Sequence, residues 1–321
     1  MQAIYESIEK AASIGIGGHV RPDGDCVGSC LALCYYLKKK YPNKVVDVYL
    51  EYVQDEFKFL PYSDKVKNNI NSGEVDTYDC FIVLDCGDLD RLEFSEPLFQ
   101  TALNTINIDH HITNRNFAKL NYVVPSASST CEVLMDVLDL DMLDKELATA
   151  LYLGIVHDTG VFKHSNTTKK TMECAAKLIS YEVPFSKIID ETFYQKTYLQ
   201  NQILGRCLLE SFMMLDGKCI VSYVKKNTLD FYGASSKDLD GIIDQLRVTK
   251  GVEVAILVYE LEVQKFKVSM RSNHDVDVSK VAGYYGGGGH VKAAGCTMIG
   301  SIHDVINNIT VHIDEQLNRK K

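Results

Sequence analysis

The chain predicts an α/β protein: a doubly wound parallel sheet, then a smaller mixed α/β domain, joined by a helical linker. Three observations lead there. Apolar, strand-like runs alternate with helix-patterned segments through roughly the first half of the 321 residues, as expected for a parallel sheet with crossover helices. Several of these runs end abruptly in Asp or His, and in an open parallel sheet such strand ends converge on one edge. Beyond about residue 215 the pattern becomes strand-rich, with one helix between strands.

Taken in order, residues 1–12 read as a short amphipathic helix and 14–18 as a buried strand. Val27, Cys30, Leu31 and Cys34 then keep helical spacing, so a helix runs to about Lys40. Strands follow at 45–53, 78–84 and 104–108. Residues 128–138 open with Ser and Thr and carry an acid in the first turn, as helices do. Residues 145–154 are helical by propensity, yet 151–156 is also an apolar run ending in His157-Asp158. Asp158 therefore closes either a helix or a strand. A helix at 168–180 completes this part. Residues 190–210 are polar and helical, and read as the connection. Strands at 218–224, 252–260 and 265–271 follow, interrupted by a helix at 236–247. The chain closes with a Gly-rich loop, 286–290, and a helix near 302–317.

Composition narrows the function. A 46 % hydrophobic content over 321 residues supports two domains. The formal net charge of −9 argues against an extended basic surface, and so against sequence-independent grip on long duplex nucleic acid. The ten cysteines form no C-x-x-C pair, and Cys26, Cys30 and Cys34 recur on one helix face. They read as small buried hydrophobes of a reducing compartment. No basic n-region precedes an apolar core at the N-terminus, and no apolar run approaches the roughly 18 residues a membrane helix needs. The expectation is a soluble, cytoplasmic protein without a membrane partner.

Four segments carry metal-ligand residue types. His19-Val20-Arg21-Pro22-Asp23-Gly24-Asp25 follows the first strand, and Pro22 and Gly24 suggest a loop that turns His19 and Asp23 toward one ion and Asp25 toward its neighbour. Asp85 ends the 78–84 run, and its two oxygens allow it to bridge. Asp109-His110-His111 ends the next strand. Neighbouring side chains on an extended chain point apart, so one imidazole suits a metal and the other a substrate. Asp158-Thr159-Gly160 offers a last carboxylate. Together these suffice for two divalent cations and metal-assisted hydrolysis. A carboxylate-rich, imidazole-containing set without Cys favours Mn²⁺, with Mg²⁺ as the second choice. In the second half, Gly286-Gly287-Gly288-Gly289-His290 offers backbone N–H groups to a phosphate, and Arg271 offers a bidentate clamp. A dinucleotide-cofactor oxidoreductase is set aside, because Gly15-Ile16-Gly17-Gly18 precedes the loop acids and lacks G-x-G-x-x-G spacing.

The ordered motifs HVRPDGDCVGS, VLDCGD, IDHH and HDTGVF, followed by VSMRS and GGGGHVKAAG, resemble the DHH/DHHA1 phosphoesterase family over essentially the whole chain. The resemblance implies a DHH domain at 1–189, a helical linker at 190–214 and a DHHA1 substrate domain at 215–321, across a cleft. It implies that His19, Asp23 and Asp85 hold one Mn²⁺ and that Asp25, Asp85, His110 and Asp158 hold the other. His111 would meet the scissile phosphate, with Asp109 supporting the histidines; with Asp85 they form the catalytic set. Arg271, Ser272, Gly287, Gly288, Gly289 and His290 would hold the terminal nucleotide. Among family members the layout resembles stand-alone nanoRNases that also dephosphorylate 3′,5′-bisphosphate nucleotides (pAp). The expected substrates are thus short RNA or DNA oligonucleotides and small nucleotides; a homodimer is allowed. The alternative is a cyclic-dinucleotide or pApA phosphodiesterase.

Overall fold

A computed structural model describes residues 1–70 and 77–318; residues 319–321, the end of the expected second domain, lie outside these. The chain divides into two units, 1–195 and 196–321.

The first unit contains α1 (Gln2–Lys10), β1 (Ser13–Gly17), α2 (Gly24–Lys40), β2 (Val45–Tyr49), β3 (Cys80–Leu84), α3 (Glu96–Thr101), β4 (Asn104–Asp109), β5 (Leu120–Val123), α4 (Thr130–Val137), α5 (Lys145–Asp158), α6 (Lys169–Ile179) and α7 (Phe185–Ile189). Its five strands are ordered β2-β1-β3-β4-β5, and every pair is parallel. Strand β3 is buried throughout, the sequence Cys-Phe-Ile-Val-Leu being apolar on both faces, as a central parallel strand requires. One face packs Ile14, Ile16 and Ile82 against Leu31, Leu134 and Leu151 of α2, α4 and α5. The other packs Phe81 and Val83 against Leu98 and Phe99 of α3. Helices on both faces make the sheet doubly wound, as expected from the sequence. The chain leaves β1 for β2 on one side and returns to β3 on the other. The strand order therefore reverses between β1 and β3, and a crevice opens at their C-terminal ends.

Two local expectations change. The strand expected at 45–53 ends at Tyr49. Strand β5 was not foreseen, because Leu120–Val123 is only half-buried and carries little hydrophobic pattern.

The second unit contains α8 (Tyr198–Leu209), β6 (Phe212–Met214), β7 (Cys219–Val224), α9 (Lys226–Tyr232), α10 (Ile242–Arg247), β8 (Val254–Glu262), β9 (Lys265–Ser272), α11 (Val278–Gly283), β10 (Gly288–His290), β11 (Ala293–Ile299) and α12 (Ile302–Asn318). The six strands are ordered β10-β11-β9-β8-β7-β6. Only β7 and β8 pair in parallel, so the sheet is mixed. The helix expected at 236–247 is split at Gly241, which has φ of 82°. Before α8, residues Asp190–Tyr194 make one π-helical turn. Ile203 and Cys207 of α8 are buried against Leu246 and Leu257 in the second unit's core.

Candidate metal centre

Strand ends deliver most of the site. His19 follows β1 by two residues, Asp85 follows β3 directly, and Asp109 closes β4 with His110 and His111 behind it. All lie at the crevice between β1, β3 and β4. Asp85 has φ of 54°, a left-handed conformation that costs a non-glycine residue free energy and concentrates at functional positions. The turn re-aims the buried carboxylate along the sheet edge.

The distances define two groups sharing one carboxylate. Asp85 Oδ2 is 3.4 Å from Nε2 of His19, and that nitrogen is 3.7 Å from Asp23 Oδ2. Asp85 Oδ1 is 3.5 Å from Nε2 of His110, itself 3.3 Å from Asp158 Oδ2. Asp25, His110 and Asp158 also place ligand atoms within 4.8 Å of one another. Six predicted residues, His19, Asp23, Asp25, Asp85, His110 and Asp158, thus meet around the crevice.

Two features fit this donor set to hard or borderline divalent cations. In each histidine Nδ1 faces a backbone carbonyl, Val20 for His19 (2.8 Å) and Ala127 for His110 (3.4 Å). Where Nδ1–H donates to that carbonyl, Nε2 would be left to bind a cation, as in metal-binding histidines; at His19 the Arg91 guanidinium also lies 3.0 Å from Nδ1. Oxygen donors also outnumber nitrogens, which suits Mg²⁺ or Mn²⁺. Divalent metal use is the reading this chemistry carries.

Burial and mutual contact shift His19, His110 and two of the carboxylates, Asp25 and Asp158, toward their protonated forms. Burial alone would lower the pKa of His19, but hydrogen bonding to Asp23 and Asp85 raises it far above the usual range. His110 is likewise pushed up to about 10, burial being outweighed by Asp85, Asp25 and Asp158. Asp25 is raised well above a normal carboxylate by burial, then by Asp85 and Asp158. Asp158 rises to about 7, chiefly through burial. Asp85 is lowered despite complete burial, because His110 and His19 both contact it. Too many carboxylates share too little solvent, and positive charge is what the arrangement lacks.

Helices supply the rest. Asp23 is the N-cap of α2: its Oδ1 accepts from the N–H groups of Asp25 and Cys26 at 3.1 Å, leaving Oδ2 for His19. The segment expected to be a loop is thus a capped helix start, and Asp25 belongs to its first turn. Asp25 accepts from the N–H groups of Thr130 (2.6 Å) and Cys131 (2.9 Å), at the positive end of α4. Asp158 closes helix α5 rather than a strand; apolar faces toward both α2 and α4 explain its strand-like run. Gly154 lets α5 approach, since a Cβ there would lie 2.5 Å from Asp25 Oδ1 and 2.3 Å from Cys131 Sγ.

Asp109 is fully buried and its Oδ1 accepts from Nδ1 of His111 at 2.7 Å. Asn114 donates to the other oxygen at 2.6 Å and to Asn107 Oδ1 at 2.7 Å. Hydrogen bonding to Asp109 raises the pKa of His111, against burial. Sequence reading passed over several contributors. Thr130 Oγ1 donates to Asp85 Oδ1 at 3.1 Å. Arg91 Nη2 lies 3.0 Å from His19 Nδ1. Cys26 groups with His19 and Asp85, but burial raises its pKa and keeps it a thiol. Asn107 had a visible signal, a polar residue inside an apolar strand. Thr130 had none beyond its place at a helix start.

In the second unit, register relates the expected substrate residues. Arg271 pairs with Ala293 and Ala293 with His290, so Arg271 and His290 point from the same sheet face in one row. On β7 and β8 this face is covered, with Ala255 and Leu257 buried under α8 and α10. On β9, β11 and β10 it is open, with Lys267, Ser269 and Arg271 half-buried and Thr297, Gly288 and His290 exposed. Ser272 is a correction. Adjacent strand residues alternate, so it faces the opposite side, is buried, and donates to Glu253 Oε1 at 3.3 Å. The glycine run is also not a free loop. Gly287 N–H donates to the Ala282 carbonyl at 3.0 Å, and Gly288 and Gly289 belong to the edge strand β10. A Cβ on Gly287 would lie 2.3 Å from the Gly295 carbonyl oxygen, and one on Gly289 2.4 Å from that of Ala293.

Comparison with known proteins agrees with this architecture. Residues 13–155 match the DHH family, N-terminal domain, and residues 216–319 the DHHA1 domain. The bifunctional oligoribonuclease and PAP phosphatase NrnA of Thermus thermophilus is 29 % identical over 314 residues, covering 95 % of this chain and 90 % of that one. Its Bacillus subtilis namesake is 28 % identical over 286 residues, 87 % of each. An exopolyphosphatase-related protein from Bacteroides fragilis shares the fold, with a TM-score of 0.87 at 22 % identity over 98 % of this chain and 95 % of its own. The chain belongs to the DHH/DHHA1 family, carrying a DHH N-terminal domain followed by a DHHA1 domain.

Proposed function

We propose that this chain is a divalent-metal-dependent phosphoesterase that cleaves short oligonucleotides to mononucleotides and dephosphorylates 3′,5′-bisphosphate nucleotides. The observation that carries the reading is Asp85, whose two oxygens face separate histidine–carboxylate groups. Relatives named for oligoribonuclease and PAP phosphatase activity support it over nearly the whole chain. His19, Asp23 and Asp85 would hold one cation, and Asp25, Asp85, His110 and Asp158 the other. Mn²⁺ is favoured over Mg²⁺ because imidazoles join the carboxylates. Bound there, the cations would supply positive charge that makes water more acidic and offsets charge developing on a phosphoryl group.

The chain's own groups do the rest. Asp109 holds His111 by Nδ1, leaving Nε2 for substrate. The Asp109 carboxylate at Nδ1 favours the charged imidazole, and in that form the His111 Nε2–H would donate to a phosphoryl or leaving-group oxygen. Asp109 touches no substrate; it positions His111. On the open half-face of the second sheet, Arg271 and His290 would hold the terminal nucleotide's phosphate. The ten cysteines are free and buried, which suits the cytoplasm, and among the described residues no helix is long and apolar enough to cross a membrane. An activity panel with Mn²⁺ tests the reading, covering di- to pentanucleotides, pAp, pApA and cyclic dinucleotides. Release of mononucleotides from the short oligomers and phosphate from pAp is expected. Turnover confined to cyclic dinucleotides or pApA would replace it with second-messenger hydrolysis.

A further inference from the structure

The open half-face of the second sheet holds a feature that the terminal-phosphate role leaves unused. Arg271, Ser269 and Lys267 occupy alternate positions of β9, so all three point from the same face. Alternate strand residues are about 6.7 Å apart along the chain, comparable to the step between phosphates of an extended single strand. The floor beside them is low. Ala293 lies opposite Arg271 and Gly295 opposite Ser269, and Gly288 lies beyond Gly295. Gly295 cannot carry a side chain, because a Cβ would lie 2.8 Å from the Val268 carbonyl oxygen. The Lys267 stem passes over it, its Cε 3.9 Å from that Cβ position. The residues opposite Lys267 on its two neighbouring strands, Tyr259 and Thr297, are uncharged. One step further along β9, Lys265 is paired with Glu262 at 3.3 Å. Arg271 has Asp244 Oδ1 3.8 Å from its Nε, whereas Lys267 makes no ion pair among the described residues. The free positive charge of the row is at Lys267, and a mutually neutralised Lys265–Glu262 pair follows.

We propose that β9 is a phosphate track in which Lys267 binds the phosphate two steps from the one held at Arg271, with Ser269 beneath the phosphate between them. This rests on the oligonucleotide reading above and names the residue that sets substrate length. Arg271 and His290 serve any terminal nucleotide. Lys267 is reached only by a chain of three or more phosphates, and Lys265 beyond it, already paired with Glu262, adds no free charge for a longer one.

The test compares wild type, Lys267→Ala and Lys267→Arg on a tetranucleotide RNA and on pAp, with Lys226→Ala as a charge control. Lys226 pairs with Asp230 on α9. For Lys267→Ala the ratio of tetranucleotide KM to pAp KM should rise about fivefold, the size expected of one half-exposed ionic contact, with kcat little changed. The salt dependence of log kcat/KM on the tetranucleotide should flatten by about 0.7. Lys267→Arg should restore most of both, and Lys226→Ala should leave the ratio at its wild-type value. An unchanged ratio in Lys267→Ala, or an equal shift in Lys226→Ala, overturns the track while leaving the phosphoesterase reading intact. Wild-type protein inert toward both substrates overturns both.

Discussion

Asp85 stands between two imidazoles: its Oδ2 is 3.4 Å from Nε2 of His19 and its Oδ1 is 3.5 Å from Nε2 of His110. One carboxylate thereby belongs to both halves of the cluster, and its left-handed backbone, φ 54°, is what turns it there. Asp85→Asn keeps the shape, and Asn tolerates this conformation better than most residues, but it removes the shared charge. We predict that kcat falls by about a thousandfold or more, the several kcal/mol that cation stabilisation supplies. Calorimetric Mn²⁺ titration should show fewer than two sites. Near-normal turnover would refute the shared-carboxylate geometry.

Cation affinity should climb with pH. Against burial, Asp85, Asp25 and Asp158 push His110 up to about 10, and Asp158 is pushed up to about 7 chiefly by burial. At neutral pH a cation would therefore meet a protonated His110 and an Asp158 that is about half protonated. Cations displace those protons, so lower pH opposes binding. The loss should steepen below about 7, where Asp158 is protonated as well. Titrations with Mn²⁺ at about pH 6, 7 and 8, in buffers of different ionisation enthalpy, should show net proton release; binding indifferent to pH would contradict it.

Thr130→Val deletes the hydroxyl that donates to Asp85 Oδ1 and keeps the backbone N–H that holds Asp25. A loss of about 10- to 100-fold in cation affinity or kcat is expected, the usual effect of removing a group that orients a ligand. Thr130→Ser should recover most of it. Equal losses in both variants would point to packing and not to the hydrogen bond.

Arg271→Ala and His290→Ala should each raise KM for pAp and for oligonucleotides while changing kcat little, because they bind substrate without activating water. A loss confined to kcat would move them into the chemical step.

Gly289→Ala should disturb the same surface through the backbone. Its φ of 142° and the 2.4 Å approach of the Ala293 carbonyl oxygen leave no room for a methyl group. A cost of about 1–3 kcal/mol is expected, read as a lowered Tm, together with a raised KM. An unchanged melting curve would show that β10 moves aside freely.

Much of this was legible in the residues alone. Apolar runs ending in Asp or His located β1, β3 and β4, and the convergence of parallel strand ends predicted that His19, Asp85 and His110 would meet. Ser272 was misplaced because the face of a strand depends on its register, and Arg271 and Ser272 are adjacent in sequence but opposite in space. The glycine run read as a loop because glycine carries no strand pattern, although β11 pairs with it.

The sequence by itself determined the donor chemistry, the strand ends that bear it and the family the ordered motifs resemble, since these depend on local pattern and composition. Tertiary structure alone decided three things. Asp158 reaches the site from a helix end, Asp25 is held by the N-terminus of α4, and Thr130 braces the shared carboxylate. Each depends on α4 and α5 packing beside α2, and such contacts join residues more than a hundred positions apart, where no local periodicity can record them.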